Sequence, residues 1–238
     1  MNKIAIIPAR SGSKRLPKKN YKPFNSRTLV EIARDKCLAT GIFDKVIISS
    51  DDPFFENLIN CKEVEFVKRT EKLAGDNATT DMVMDFFFEK LPSCKTILWV
   101  NSVSPLQTIQ DIKNCGIRLS DPYIDCVMAV NTLYQHCSIL NQPINFNPNT
   151  PFEKTQDLVP IQRYIYSCMG WRRETYIKSR MEGFKGLFPG NMSLVEVSTL
   201  AGMLIKYEED FILCSQIEKA ISYVQNLDIP KEILTTNQ

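Results

Sequence analysis

Between residues 10 and 22 the chain carries Arg10, Lys14, Arg15, Lys18, Lys19 and Lys22, and no acid. Within this run, IPARSGSKRLPKKN, the small residues Ser11, Gly12 and Ser13 stand between the first two cations. Small residues let a backbone approach a ligand closely, and their N–H groups can point at phosphate oxygens. Arg10, Lys14 and Lys19 would then surround a polyphosphate, each charge-assisted hydrogen bond contributing about 1.5–3 kcal/mol. The run is neither GxxxxGK[ST] nor GxGxxG. Taken as composition alone, a basic loop is more often a solvated surface. Its place directly after an opening strand tips the reading toward a ligand, because open α/β sheets bind beyond the carboxyl ends of their strands.

The rest of the chain narrows the chemistry. Of 238 residues, 44% are hydrophobic and 24% charged, with a net charge of +2, so the body outside the basic loop is net negative. A localised cationic loop on such a body suits a compact anion better than a nucleic-acid track, which also asks for clustered aromatics. Nucleic-acid and membrane partners are therefore not expected. The eight cysteines form no CxxC pair and fall mostly in apolar segments, which reads as reduced, buried thiols. His136 is the single histidine, so a Cys–His, Ser–His or multi-histidine metal site is not expected. The opening MNKIAIIPAR is too short an apolar run for an export signal, and no run suits a membrane helix. The expected location is cytoplasmic.

The elements that must position the loop read as strands alternating with helices. Strands are predicted at 3–7, 45–49, 64–67, 96–100 and 125–130, with further short strand-like runs between 164 and 206 that include SLVEVS, and helices at 28–40, 52–60, 79–91, 110–119 and 208–225. This order predicts an α/β fold, a mostly parallel central sheet with helices on both faces. Residues 1–238 read as one α/β domain. Within it the Asn- and Pro-rich stretch from Tyr134 opens an excursion, 134–190, expected to carry either function or an oligomer contact.

The loop also resembles a known family. IPARSGSKRLPKKN is similar to the opening signature of the acylneuraminate cytidylyltransferases, close to (I/L)xARxxSKxxPxKN. Three further segments resemble family blocks in order: KRTEKLAGDNATT at 68–80, VNSVSPLQT at 100–108 and TQDLVP at 155–160. The resemblance implies a GT-A-like α/β fold and transfer of CMP from CTP to a sialic-acid-like acidic sugar, with release of pyrophosphate. It implies catalytic roles on the triphosphate for Arg10, Lys14 and Lys19. It also implies nucleotide contacts from Ala9, Arg10, Ser11, Gly12, Ser13, Asn20, Arg69 and Thr80, and substrate contacts from Asn101 and Gln162. A homodimer and Mg²⁺ are further implications.

The metal site departs from that resemblance. The family's D-I-D-(T/S)-x-x-D block aligns with residues 204–210, placing Leu204 and Lys206 where two metal-holding aspartates belong. An ammonium cannot ligate Mg²⁺, so no protein metal ligand is assigned. Ser167-Cys168, Val103 and Gln107 also replace usual family residues. Three readings follow. In the first, an active enzyme holds its metal through the triphosphate and through Asp51, Asp76, Glu208 or Asp210, with Lys206 replacing part of the charge in one variant. The second is a nucleotide-binding homologue with little or no transferase activity, serving as partner or regulator. The third is a basic-loop nucleic-acid binder.

Overall fold

The computed structural model describes residues 3–226. In chain order the first half comprises β1 (Lys3–Pro8), α1 (Leu29–Ala39), β2 (Lys45–Ser50), β3 (Val64–Lys68), α2 (Glu71–Ala74), α3 (Thr80–Lys90), β4 (Thr96–Val100) and α4 (Ile109–Ser120). The second half adds β5 (Cys126–Leu133), β6 (Ser138–Ile139), β7 (Gln142–Pro143), β8 (Ile161–Arg172), α5 (Arg173–Met181), β9 (Met192–Glu196) and α6 (Glu208–Asn226). The main sheet has seven strands in the order β3-β2-β1-β4-β8-β5-β9, and β6 and β7 pair as a separate small hairpin. Only β8 runs against its neighbours in the main sheet, antiparallel to both β4 and β5. The expected α/β class with a mostly parallel sheet is what the chain adopts.

Burial explains why the sheet forms. All five residues of β4, TILWV, are buried, as a central strand covered on both faces requires. One face packs Ile7, Val46, Ile48 and Val100 against Ala33 and Cys37 of α1 and Ile112 and Cys115 of α4. The other packs Ile6, Ile97 and Trp99 against Val83, Met84 and Phe87 of α3 and Tyr176 of α5. Helix starts follow local chemistry. Thr28 with Glu31, and Thr108 with Asp111, form reciprocal capping boxes at α1 and α4.

Several elements differ from the sequence reading. The predicted helix at 52–60 is a 3₁₀ helix at Pro53–Leu58, capped by Asp52. Residues 161–172 of the expected excursion form β8 inside the sheet and 173–181 form α5, while 134–160 and 182–190 contribute no strand to the main sheet. All eight cysteines are free thiols, six of them buried. His136 stacks on Phe152 with ring centroids 3.8 Å apart.

Candidate active site

The loop after β1 is tied down on several sides. The Ala9 N–H donates to the Ser49 carbonyl at 2.8 Å, and the Ser50 hydroxyl donates to the Ala9 carbonyl at 2.6 Å. The side-chain amide of Asn20 donates to the Arg10 carbonyl at 3.0 Å, and Ser102 donates to Asn20 Oδ1 at 3.3 Å. Leu16, 3% exposed, anchors the cationic stretch in an apolar cluster with Phe24, Leu29, Ile205 and Phe211. One buried leucine thus holds a loop whose charged side chains would otherwise repel each other into solvent.

Beyond the ends of β1 and β4 this loop walls a cleft of ≈ 480 Å³. Arg10, Ser13, Lys14, Lys19, Asn20, Arg69, Thr80 and Asn101 all line it. Ala9, Ser11, Gly12 and Gln162 do not. Ala9 is fully buried beneath the loop, and Gln162 is exposed on β8 opposite Thr132. The expected cradle of N–H groups is largely spoken for. The Ser11 N–H donates to Asp51 Oδ1 at 2.9 Å, and the Ser13 N–H folds back on the Ser11 carbonyl at 3.1 Å. Side-chain cations therefore outweigh backbone donors here.

Five cations, Arg10, Lys14, Arg15, Lys19 and Arg69, line the cleft, against one carboxylate, Asp76. Lys14 pairs with Asp76 at 2.6 Å and Arg10 at 3.4 Å. The hydrogen bond from Lys14, then the charges of Lys14 and Arg10, hold the Asp76 carboxyl below its usual range. Burial, with Arg15 and Arg10 close by, pushes the Lys19 ammonium down to about 8, although Asp210 pulls the other way. Burial also lowers Arg69 to about 10, with Asp51 opposing the shift and Arg10 adding to it. Arg69 is 5% exposed. Its Nε and one Nη have no partner among the described residues, while the other Nη donates to the Leu73 carbonyl at 3.4 Å. Packed cations that depress one another call for a multivalent anion.

The remaining walls are set by α3 and β4. The N-terminus of α3 presents Thr79 and Thr80 to the cleft, where helix partial charge favours an anion. Trp99 of β4 also lines it, 8% exposed, with an indole N–H that has no partner among the described residues. The sequence reading missed Trp99 and Arg15. In TILWV every position is buried, so alternation cannot single out the residue that reaches the cleft. Asn101 is oriented by its backbone, whose N–H donates to the Ser167 carbonyl at 2.8 Å, and by a bond from its amide to the Tyr166 carbonyl at 3.2 Å.

The segment 204–210 lies against the basic loop. Lys19 Nζ donates to the Ile205 carbonyl at 2.9 Å, and Lys22 pairs with Glu208 at 2.6 Å. Asp210 Oδ2 accepts from the N–H groups of Lys206 and Tyr207, both at 2.8 Å, and so closes the first turn of α6. The four carboxylates considered as metal ligands are thus engaged: Asp51 with Ser11, Asp76 with two cations, Glu208 with Lys22 and Asp210 as a helix cap. Among the described residues no cluster of three His, Cys, Asp or Glu side chains could hold a metal. The donor set does not fit a protein-held Mg²⁺ at 204–206.

Comparison with known proteins agrees with this architecture. The chain is 25% identical over 221 residues to an N-acylneuraminate cytidylyltransferase of Streptococcus agalactiae, covering 89% of this chain and 52% of that protein. It is 38% identical over 98 residues to a pseudaminic acid cytidylyltransferase of Campylobacter jejuni, covering 39% of this chain and 40% of the relative. The chain thus spans about half the length of the Streptococcus relative. In fold it is similar to a CMP:2-keto-3-deoxy-manno-octonic acid synthetase solved with CTP (TM-score 0.66, 12% identity, 93% and 100% of the two chains). It is also similar to a 4-diphosphocytidyl-2C-methyl-D-erythritol synthase of Anaerococcus prevotii (TM-score 0.65, 14% identity, 92% and 98% covered). No helix among the described residues is long and apolar enough to cross a membrane. The family model for cytidylyltransferases matches residues 4–150, and the chain belongs to that family.

Proposed function

We propose that this chain transfers CMP from CTP to the anomeric hydroxyl of a sialic-acid-like acidic sugar and releases pyrophosphate. One observation carries the reading: five cations converge on a cleft that opens beyond the carboxyl ends of β1 and β4. Such a reaction is mainly positioning and charge neutralisation. Arg10, Lys14 and Lys19 would hold the β- and γ-phosphates and neutralise the pyrophosphate as it leaves. Asn20, Arg69 and Thr80 would orient the nucleoside and α-phosphate, and Asn101 would face the acceptor. Mg²⁺, when present, would supply charge on the phosphates themselves, because the side chains of residues 204 and 206 offer it no carboxylate.

The stretch 134–166 exposes Tyr134, Ile139, Leu140, Ile144, Phe152, Val159, Tyr164 and Tyr166. Exposed apolar groups at this density support a homodimer contact there. A cytoplasmic location is part of this proposal.

Release of pyrophosphate from CTP, but not from ATP, GTP or UTP, across a panel of 3-deoxy-ulosonic acids tests the proposal. Turnover with any acceptor supports it. CTP binding without turnover on a broad panel supports the second reading, a nucleotide-binding homologue without transferase activity, which Leu204 and Lys206 favour.

A further inference from the structure

Asp51 is the residue that follows β2, and both of its carboxylate oxygens serve one residue of the cationic loop. The Ser11 N–H donates to Oδ1 at 2.9 Å, and the Ser11 hydroxyl donates to Oδ2. Two residues earlier the same end of β2 holds Ala9, through the Ser49 carbonyl at 2.8 Å and the Ser50 hydroxyl at 2.6 Å. The loop therefore leaves the sheet clamped at alternate residues, just before Lys14 and on either side of Arg10.

Plain Coulomb interaction argues against a carboxylate in this position. An acid behind a polyanion site repels the ligand. Burial opposes its ionisation as well, yet the two bonds from Ser11 and the charge of Arg69 hold the Asp51 carboxyl below its usual range, so it is ionised at neutral pH. That cost to an anionic ligand stands against what the carboxylate does for the loop. Here it fixes Ser11, and the Ser13 N–H closes on the Ser11 carbonyl at 3.1 Å, so the direction of the turn follows from Ser11.

We propose that Asp51 is a positioning residue: its carboxylate locks Ser11 and so preforms the turn that presents Arg10 and Lys14 to the ligand's phosphates. It acts through Ser11 and touches no phosphate itself. That the ligand is CTP rests on the function proposed above, but the clamp itself does not.

Three variants separate positioning from charge: Asp51→Asn, Asp51→Ala and Ser11→Ala. Removal of a repelling charge predicts that both Asp51 variants bind CTP more tightly, and equally so. Positioning predicts different behaviour. Asp51→Asn keeps an acceptor for the Ser11 N–H and holds CTP affinity within about threefold of native or better. Asp51→Ala loses about tenfold or more. Ser11→Ala loses about threefold, and in combination with Asp51→Ala it adds nothing further. An Asp51→Ala protein that binds CTP as tightly as Asp51→Asn would overturn the proposal.

A second readout needs no nucleotide. Amide hydrogen exchange at Ser11 should speed up by about tenfold or more in Asp51→Ala, and little in Asp51→Asn. Unchanged exchange in Asp51→Ala overturns the clamp. If Asp51→Ala fails to fold, the Ser11→Ala affinity and the Asp51→Asn exchange decide the matter. A native chain that takes no CTP while its Ser11 amide is protected would sink the functional reading and leave the clamp standing.

Discussion

The Lys19 ammonium donates to the Ile205 carbonyl at 2.9 Å, joining the loop after the first strand to the segment before the last helix. A cation is thereby fixed on the backbone between positions 204 and 206, where the family resemblance would place two aspartates. In this chain those positions are Leu204 and Lys206. Charge at this end of the cleft is supplied by ammonium and guanidinium groups, and their behaviour with pH and substitution can be measured.

Lys19 gives a pH dependence with a definite sign. Its pKa is lowered to about 8, chiefly by burial and then by Arg15 and Arg10. Below that value it is charged and ready to bind an anion; above it the ammonium must be recharged on binding. CTP affinity should therefore fall as pH rises above 8, by up to about tenfold per unit. Lys19→Arg, which stays charged, should flatten the fall. Calorimetric titration between pH 6.5 and 9.5 measures both.

Restoring Leu204→Asp together with Lys206→Asp should create a divalent-cation site. Mn²⁺ binding followed by electron paramagnetic resonance should appear in the double variant and be absent from the native protein. No binding in the variant would show that the segment 204–210 does not correspond to the family's metal block.

Gly170 tests how β8 is packed. A Cβ there would meet Leu119 Cδ2 at 2.7 Å, Val127 Cγ2 at 2.8 Å and Leu98 Cδ1 at 3.0 Å. Gly170→Ala should destabilise the fold by about 1–3 kcal/mol through overpacking. Urea unfolding with an unchanged slope would show it.

The apolar surface of 134–166 should hold two copies together. Light scattering should give a dimer mass for the native chain. Leu140→Glu with Tyr166→Glu, both at exposed positions (92% and 52%), should shift it to monomer. A native monomer at micromolar concentration would remove the dimer from the account.

Which parts of this were readable in the residues follows from how locally each is encoded. β1, β2 and β4 are built on short apolar runs, IAII, VII and ILWV, because strands covered on both faces leave no polar side. The cationic loop was legible because its charged and small residues adjoin in sequence. β8 was legible only in part, as a strand-like run after Tyr164: Gln162, Arg163 and Tyr164 are exposed while residues 167–171 are buried on both faces, so neither alternation nor an apolar run spans its length. α5, RETYIKSRM, buries only Tyr176 and shows little apolar face. The tie between Asp51 and Ser11 spans forty residues and exists only once β1 and β2 lie side by side.

If the cleft grips a nucleotide through its phosphates, calorimetric titration with CTP and with CMP, on native protein and on Lys19→Ala, will separate the two ligands. CTP should bind at least about tenfold more tightly than CMP, with most of that difference lost in Lys19→Ala. Equal affinities for CTP and CMP, or a Lys19→Ala protein indistinguishable from native, would contradict it.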